Sequence, residues 1–236
     1  MNHETSGGAR VRHPPEPQFR RARRPEQQDQ RRHAILAAAE AMLAEVPLED
    51  VGLRELSRRL AIPKSNVVRY FGTREGVLLE LLHRSLASWL DQLDRELGAG
   101  PCGIERLVET WARTLAAHPL LCRLWSQLAT VLERNVSADS VHRFKLADLE
   151  HRRRLARMIH RCVPELDEEA SLYVTRIAVV AVAGLWPFCT PTPTVVEATT
   201  DPRLADARLD FAAMYADILR ITITGLLALP RDTAAG

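Results

Sequence analysis

Lys64, Ser65, Asn66, Arg69 and Tyr70 bring an ammonium, a hydroxyl, a carboxamide, a guanidinium and a phenol into one short stretch of chain. Val67 and Phe71 stand among them at i and i+4, the spacing of one buried helical face, so the five polar groups point elsewhere. Lys and Arg suit phosphates or guanine edges. Ser and Asn near a helix N-terminus suit base edges, Asn adenine in particular, and a Tyr hydroxyl can donate to phosphate. A helix that buries two apolar residues and presents this set outward fits the major groove of DNA.

Such a helix needs a frame. Leu53, Leu56 and Leu60 recur at i, i+3 and i+7, which predicts a helix just before it. Ala61-Ile62-Pro63 breaks that pattern, and Pro is compatible with the first turn of the next helix, where its missing N–H would be unpaired anyway. Upstream, Ile35, Ala39, Met42 and Leu43 share one helical face. Downstream, the junction Phe71-Gly72-Thr73-Arg74-Glu75 leads into a long amphipathic pattern through Leu78, Leu81, Leu82, Leu86, Trp89, Leu90 and Leu93. That pattern stops at Gly98-Ala99-Gly100-Pro101. The elements read as a helix-turn-helix inside a three-helix head, followed by a linking helix.

In order, spacing and residue type, Arg31–Leu82 resembles the DNA-binding domain of the tetracycline-repressor-like (TetR) family of bacterial regulators. The resemblance covers roughly a fifth of the chain. It implies that Arg74 stands where the family commonly has a phosphate-contacting Lys. Three positions depart from the family pattern: Val68 replaces a Tyr on the recognition helix, Ala61 a Gly in the turn, and Val51-Gly52 a capping Thr or Ser pair. Some of the family's phosphate contacts are then absent or supplied from elsewhere.

At 236 residues, 46% hydrophobic and 26% charged, the composition is that of an ordinary globular protein with ample sequence for a core. The net charge of +2 is unevenly divided. Residues 1–75 hold 14 Lys or Arg against 10 Asp or Glu, and the remainder holds 18 against 20. A basic head on a slightly acidic body suits a nucleic-acid reader coupled to something else. Cys102, Cys122, Cys162 and Cys189 are far apart and read as reduced thiols. No metal site is expected, because His142, His151 and His160 alternate helical faces. There is no apolar signal region, and the longest apolar run, 177–189, is too short to span a bilayer, so the expected location is cytoplasmic, with no membrane partner. Residues 1–27 are polar and Pro-rich and should be disordered alone. Their cluster Arg20, Arg21, Arg23 and Arg24 reads either as a solvated tail or as a basic arm along the DNA.

Further helices are predicted over about 104–117, 119–134, 138–163, 168–187 and 203–228, with no convincing strand. The fold class is therefore all-α: a disordered arm over 1–27, a helix-turn-helix domain over 28–75 and a larger helical ligand-binding and dimerisation domain over 76–230. The last two helices are apolar all round, and a helix buried on every side must meet a second surface, most simply a copy of itself. The expected homodimer interface uses Ala178, Ala181, Gly184, Leu219, Ile223 and Leu226. The resemblance implies the same, since TetR-like proteins dimerise through a bundle of their last two long helices. It also implies a small-molecule pocket, for which Trp111, Trp125, Phe144, Tyr173 and Trp186 are candidates, although aromatic residues equally make plain core. Residues 190–202 read as a surface loop or as a flap over a pocket. Consecutive Arg152, Arg153 and Arg154 fan around a helix and read as a solvated face.

No phosphate loop, nucleophile elbow or metalloprotease motif is present, so no catalytic residue and no cofactor are expected. The leading expectation is a transcriptional regulator that binds a near-palindromic double-stranded operator and is released by an unidentified small-molecule effector. The alternatives are an all-helical enzyme with a cryptic active site and a DNA-bound accessory protein without a ligand.

Overall fold

A computed structural model describes residues 19–229, with side chains from Glu26 onward, and among these residues there is no strand. The chain forms α1 (Phe19–Glu45), α2 (Leu53–Arg59), α3 (Lys64–Phe71), α4 (Arg74–Leu97) and α5 (Gly103–Ala116), then α6 (Pro119–Ser126), α7 (Ala138–Cys162), α8 (Glu168–Cys189), α9 (Pro193–Ala198) and α10 (Phe211–Ala228). The first helix starts at Phe19, inside the stretch expected to be a disordered arm. Arg, Gln, Glu and Ala, all good helix formers, surround Pro25 in this part of α1. The side chains of Arg20, Arg21, Arg23 and Arg24, and residues 1–18, lie outside the described set.

The head closes on Ile35, Leu36, Ala39, Met42 and Leu43 of α1, Leu56 of α2, and Val67 and Phe71 of α3, all buried. Helix α4 belongs to head and body at once. Thr73 caps its first turn by accepting from the Gly76 amide at 3.1 Å. Gly76 is required there: a Cβ would stand 2.0 Å from the carbonyl oxygen of Phe71, so any side chain would push α3 and α4 apart. Beyond that turn α4 packs against α5, α6 and α7. Helices α8 and α10 lie against each other, and α10 also covers α5 while α8 rests on α6 and α7.

Two expected helices are broken. Helix α6 ends at Ser126 and gives way to a π-helical turn over Leu128–Leu132. The last expected helix is a 3-10 segment, Pro202–Ala207, followed by a fresh start at Phe211. Each piece has its own cap: Asp201 accepts from the Arg203 amide at 2.9 Å, and Asp210 accepts from the Ala213 amide at 2.7 Å. The second cap was hidden inside the apolar pattern, because Asp at a helix start and Asp on a helix face look alike in sequence. The 190–202 segment carries the short helix α9.

A lattice of rings fills the body. Trp89 lies 6.1 Å from Trp111 and 6.0 Å from Trp125, Trp111 lies 6.3 Å from Tyr215, and Tyr215 stacks on Phe211 at 5.4 Å. Trp89 Nε1 donates to Thr114 Oγ1 at 3.2 Å, which satisfies the indole where water cannot reach. All four cysteines are free, and burial pushes the Cys122 thiol up to about 12. Helices α8 and α10, by length and composition, are each apolar enough to cross a membrane, because the helical span extends well past the apolar run read from sequence. Each also supplies buried residues to the body: Val174, Ala178 and Val182 from α8, and Tyr215, Leu219 and Ile223 from α10.

Candidate nucleic-acid interface

The turn between α2 and α3 is made by Ala61 at φ +51°, which among the described residues is the one non-glycine in the left-handed region. Its amide donates to Arg58 O at 3.3 Å, and the next amide, of Ile62, reaches back to Ser57 O at 3.1 Å, so α2 is closed before α3 begins. Pro63 precedes the first residue of α3 and Gly72, at φ +72°, ends it. Val67 and Phe71 anchor the helix from below.

The upper face of α3 is left to solvent. Lys64 and Ser65 are exposed and Asn66 is half-buried. None of these three side chains makes a hydrogen bond or ion pair among the described residues, so all their donors and acceptors remain available. Val68 is 41% exposed beside them, at i+4 from Lys64 and i+3 from Ser65. It joins the reading face as an apolar group suited to a thymine methyl. Sequence reasoning registered Val68 only as a departure from a family pattern. The signal was its phase, one residue past buried Val67.

Arg69 and Tyr70 act together. The Arg69 guanidinium lies 5.1 Å from the Tyr70 ring centre and donates to the phenol oxygen at 3.2 Å. The pair presents a cation and a hydroxyl at the C-terminal end of α3, a place for phosphate rather than a base edge.

Arg74 does not belong to this face. Its Nε donates to Val51 O at 2.6 Å, one terminal nitrogen donates to Leu48 O, and the other contacts the Glu75 carboxylate at 3.1 Å. Glu75 is itself buried. The guanidinium therefore pins the connector between α1 and α2 to the start of α4. Arg74, expected at a phosphate, is placed by these contacts as a brace inside the head, with each of its three guanidinium nitrogens already donating to a protein group. The connector's free carbonyls demanded a donor, and Arg74 was the cation within reach.

Ion pairs hold the frame. Arg59 reaches Glu45 of α1 at 2.6 Å and Glu55 of α2 at 3.1 Å. Hydrogen bonds from Arg58 and then Arg59 hold the Glu55 carboxyl down at about 2, and the Arg59 hydrogen bond likewise lowers Glu45. Arg32 pairs with Glu80 of α4 at 2.8 Å and lies over the Phe71 ring at 5.3 Å. These arginines are structural; the reading face keeps its own polar groups unpaired.

The expected effector residues do not form one site. Trp111 and Trp125 are buried in the ring lattice. Phe144 lines a cavity of about 440 Å³ between the head and α7, together with Arg69, Tyr70 and His83. Tyr173 is 47% exposed on α8. Trp186 lines a separate cavity of about 700 Å³ between α1, α6 and the end of α8.

The expected dimer residues also divide. Ala178, Leu219 and Ile223 face the chain's own core and are at most 1% exposed, so they are corrected from interface to core. Ala181 and Leu226 are half-buried, and Gly184 is open. The exposed apolar stripe of α8 is instead Tyr173, Val180 and Phe188, and that of α10 is Met214 and Ile221.

Residues 83–230 match the family model described as tetracyclin repressor-like, C-terminal domain, and residues 35–81 match that of bacterial regulatory proteins, tetR family. The HTH-type transcriptional regulator EthR of Mycobacterium tuberculosis, and that of Mycobacterium bovis, are each 36% identical to this chain over 90 residues. The match covers 38% of this chain and 41% of those proteins, so it spans less than half the length of these curated relatives. Among solved structures, the fatty acid degradation regulator FadR from Bacillus halodurans superposes with a TM-score of 0.52 at 15% identity, over 84% of this chain and 99% of that one. That likeness concerns the fold.

Proposed function

This chain belongs to the tetR family of bacterial regulatory proteins, and we propose that it works as a homodimeric, sequence-specific DNA-binding regulator of transcription. Each protomer places its α3 in the major groove of a near-palindromic operator, and a small-molecule effector bound in the body releases the DNA. The observation that carries this reading is the upper face of α3, where the side chains of Lys64, Ser65 and Asn66 have no hydrogen-bond or ion-pair partner among the described residues, above buried Val67 and Phe71. Short polar side chains that the fold leaves unpaired at a helix N-terminus are suited to base edges.

Support for the dimer comes from α8 and α10. Tyr173, Val180 and Phe188 recur at seven and eight residues along α8, and Met214 and Ile221 at seven along α10, which is the spacing of one helical face. Gly184 and Gly225 follow Val180 and Ile221 by four residues each and have open space where a Cβ would stand. Two apolar stripes with notches, side by side on neighbouring helices, fit a four-helix bundle with the same pair from a second copy. This arrangement also accounts for the apolarity of two helices that would otherwise read as membrane spans, and it keeps the protein in the cytoplasm with its DNA. The molecule binds and switches; it has no catalytic role and needs no metal.

Selection of fragments from a genomic DNA pool by the purified protein tests the reading. Enrichment of inverted repeats whose half-sites are about one helical turn apart supports it. Recovery of fragments with no shared sequence would overturn it.

A further inference from the structure

The cavity beside Trp186 contains a cation that rests on backbone carbonyls. Its walls are Leu43 and Ala44 of α1, Leu120 of α6, and Trp186 and Pro187 of α8. At about 700 Å³ it is within the size range of small-molecule sites. Arg123, half-buried on α6, also lines it. The Arg123 guanidinium donates to Leu43 O at 2.8 Å and to Val46 O at 3.0 Å, both at the C-terminal end of α1. Elsewhere in the body Arg154, Arg161 and Arg220 rest on carboxylates, while Arg106 and Arg208, like Arg123, donate to carbonyls but line no described cavity with an apolar wall of this kind. Arg123 has no carboxylate partner among the described residues.

Resting on the regulator reading above, we propose that this cavity is the effector site and that it takes a compact apolar monocarboxylate. The Leu43 and Val46 carbonyls each take an N–H from a different terminal nitrogen of Arg123, so a carboxylate that grips both terminal nitrogens must compete with them. A carboxylate offers hydrogen bonds about twice as strong as those of neutral acceptors, in the bidentate geometry Arg favours. The ligand's apolar body fills the space against Trp186 and Leu120 while its carboxylate takes Arg123 from α1. The Leu43 carbonyl in the last turn of α1 and the Val46 carbonyl just beyond it then lose their donor, at the end of the first helix of the DNA-reading head. The ligand binds better when Arg123 is free of α1, which is the differential affinity needed to shift the head. Exposed Glu40 stands at the rim and opposes an anion, so it sets the affinity without holding the ligand.

The test uses the full-length protein with decanoate and 1-naphthoate as probes and decan-1-ol as the uncharged control. Equilibrium dialysis gives affinity, and tryptophan emission gives location. At least one carboxylate should bind saturably, with decan-1-ol about tenfold weaker or worse, equivalent to about 1.4 kcal/mol. Arg123→Gln should weaken carboxylate binding by a similar factor, Leu120→Trp should block it, and Glu40→Gln should tighten it. Trp186→Phe should remove most of the emission change while dialysis still shows binding. Failure of both carboxylates to bind below about 1 mM, an affinity of about −4.1 kcal/mol, would overturn the proposal. So would unchanged binding in folded Arg123→Gln and Leu120→Trp. Because dialysis needs no DNA, the site can stand if no operator is recovered, and an operator can be recovered if the site fails.

Discussion

The outer face of α3 and the outer stripe of α8 both hold side chains away from the core, with opposite chemistry. On α3 the outward groups are Lys64, Ser65, Asn66 and the single apolar Val68, and the inward ones are Val67 and Phe71. On α8 the outward groups are Tyr173, Val180 and Phe188, and the inward ones are Val174, Ala178 and Val182. A DNA reader exposes mainly groups that differ from a core, so residue type separates the two faces of α3 everywhere except at Val68, which only its phase distinguishes from buried Val67. A helix that meets a second copy of itself exposes the same residue types that it buries, and only the phase of the helix separates them. Function written in polar atoms is therefore legible in sequence where function written in apolar area is not.

The strongest challenge to this comparison sets neighbours on α10 against each other. Ile223 is fully buried, and Ile223→Glu places an unpaired carboxylate in the core, a change expected to cost about 4 kcal/mol or more. That variant should lose its cooperative melting transition. Ile221 is 71% exposed, so Ile221→Glu should keep the helical circular-dichroism spectrum and elute from light scattering at the mass of a monomer. If Ile221→Glu stays dimeric, or unfolds as Ile223→Glu does, the outer stripe is not the interface.

Much of the fold is legible in the sequence. The periodicities of Leu53, Leu56 and Leu60, and of Leu78 through Leu93, place α2 and α4, while Pro63 marks the start of α3 and Gly98 the end of α4. The body's break before Phe211 was not, because Asp210 as a cap and Asp210 on a face give one pattern. The outward placement of Lys64, Ser65 and Asn66 on α3 followed from a contrast of residue types. Arg74 did not, since nothing in its neighbourhood on the chain says that the Leu48 and Val51 carbonyls lie within its reach. Trp111 and Trp125 could line a pocket or a core with equal ease, and only the placement of Trp89 and Tyr215 against them decides for core.

Arg74 and Asn66 sharpen the same contrast within the head. Arg74→Ala strips a donor from two connector carbonyls and should destabilise the head by about 1–3 kcal/mol. Its DNA affinity should fall by similar factors on operator and scrambled duplex. Asn66→Ala should leave the melting curve unchanged and relax preference at one base position per half-site by about 1–3 kcal/mol. Denaturation together with titration at several salt concentrations separates these outcomes. An Arg74→Ala protein with native stability and a salt slope reduced by about one would restore Arg74 as a phosphate contact.

At the joint between the two regions, His83 of α4 and His151 of α7 share a 3.0 Å contact between ring nitrogens. Burial, and then the neighbouring His83, lower the His151 pKa from 6.5; Arg154 works in the same direction, while Asp148 and Asp91 oppose it. A histidine depressed in the fold binds its proton more readily in the unfolded chain. Stability from this group is thus complete above about pH 6.5 and declines as pH falls from there through the lowered folded value. Urea denaturation at pH 8, 7, 6 and 5 should show that decline in the wild type, with a flatter profile in His151→Gln. Parallel profiles would remove the pair from the acid response of the joint.

The smallest expected effect is in the turn that aims α3. Ala61 holds φ +51°, where an L-residue with a Cβ is disfavoured by about 1–2 kcal/mol. Glycine would relieve that strain, while its greater freedom in the unfolded chain would take back about 0.5–1 kcal/mol. Ala61→Gly should therefore stabilise the protein by up to about 1 kcal/mol, read as a rise of a few degrees in melting temperature. Ala61 is exposed and its turn is closed by backbone bonds from Ala61 and Ile62, so the substitution changes no contact on the reading face. DNA affinity should be unchanged or slightly higher, with the same sequence preference. A drop in stability would mean that the turn relaxes away from the left-handed region once Ala is replaced, and that the methyl group of Ala61 helps to aim the recognition helix.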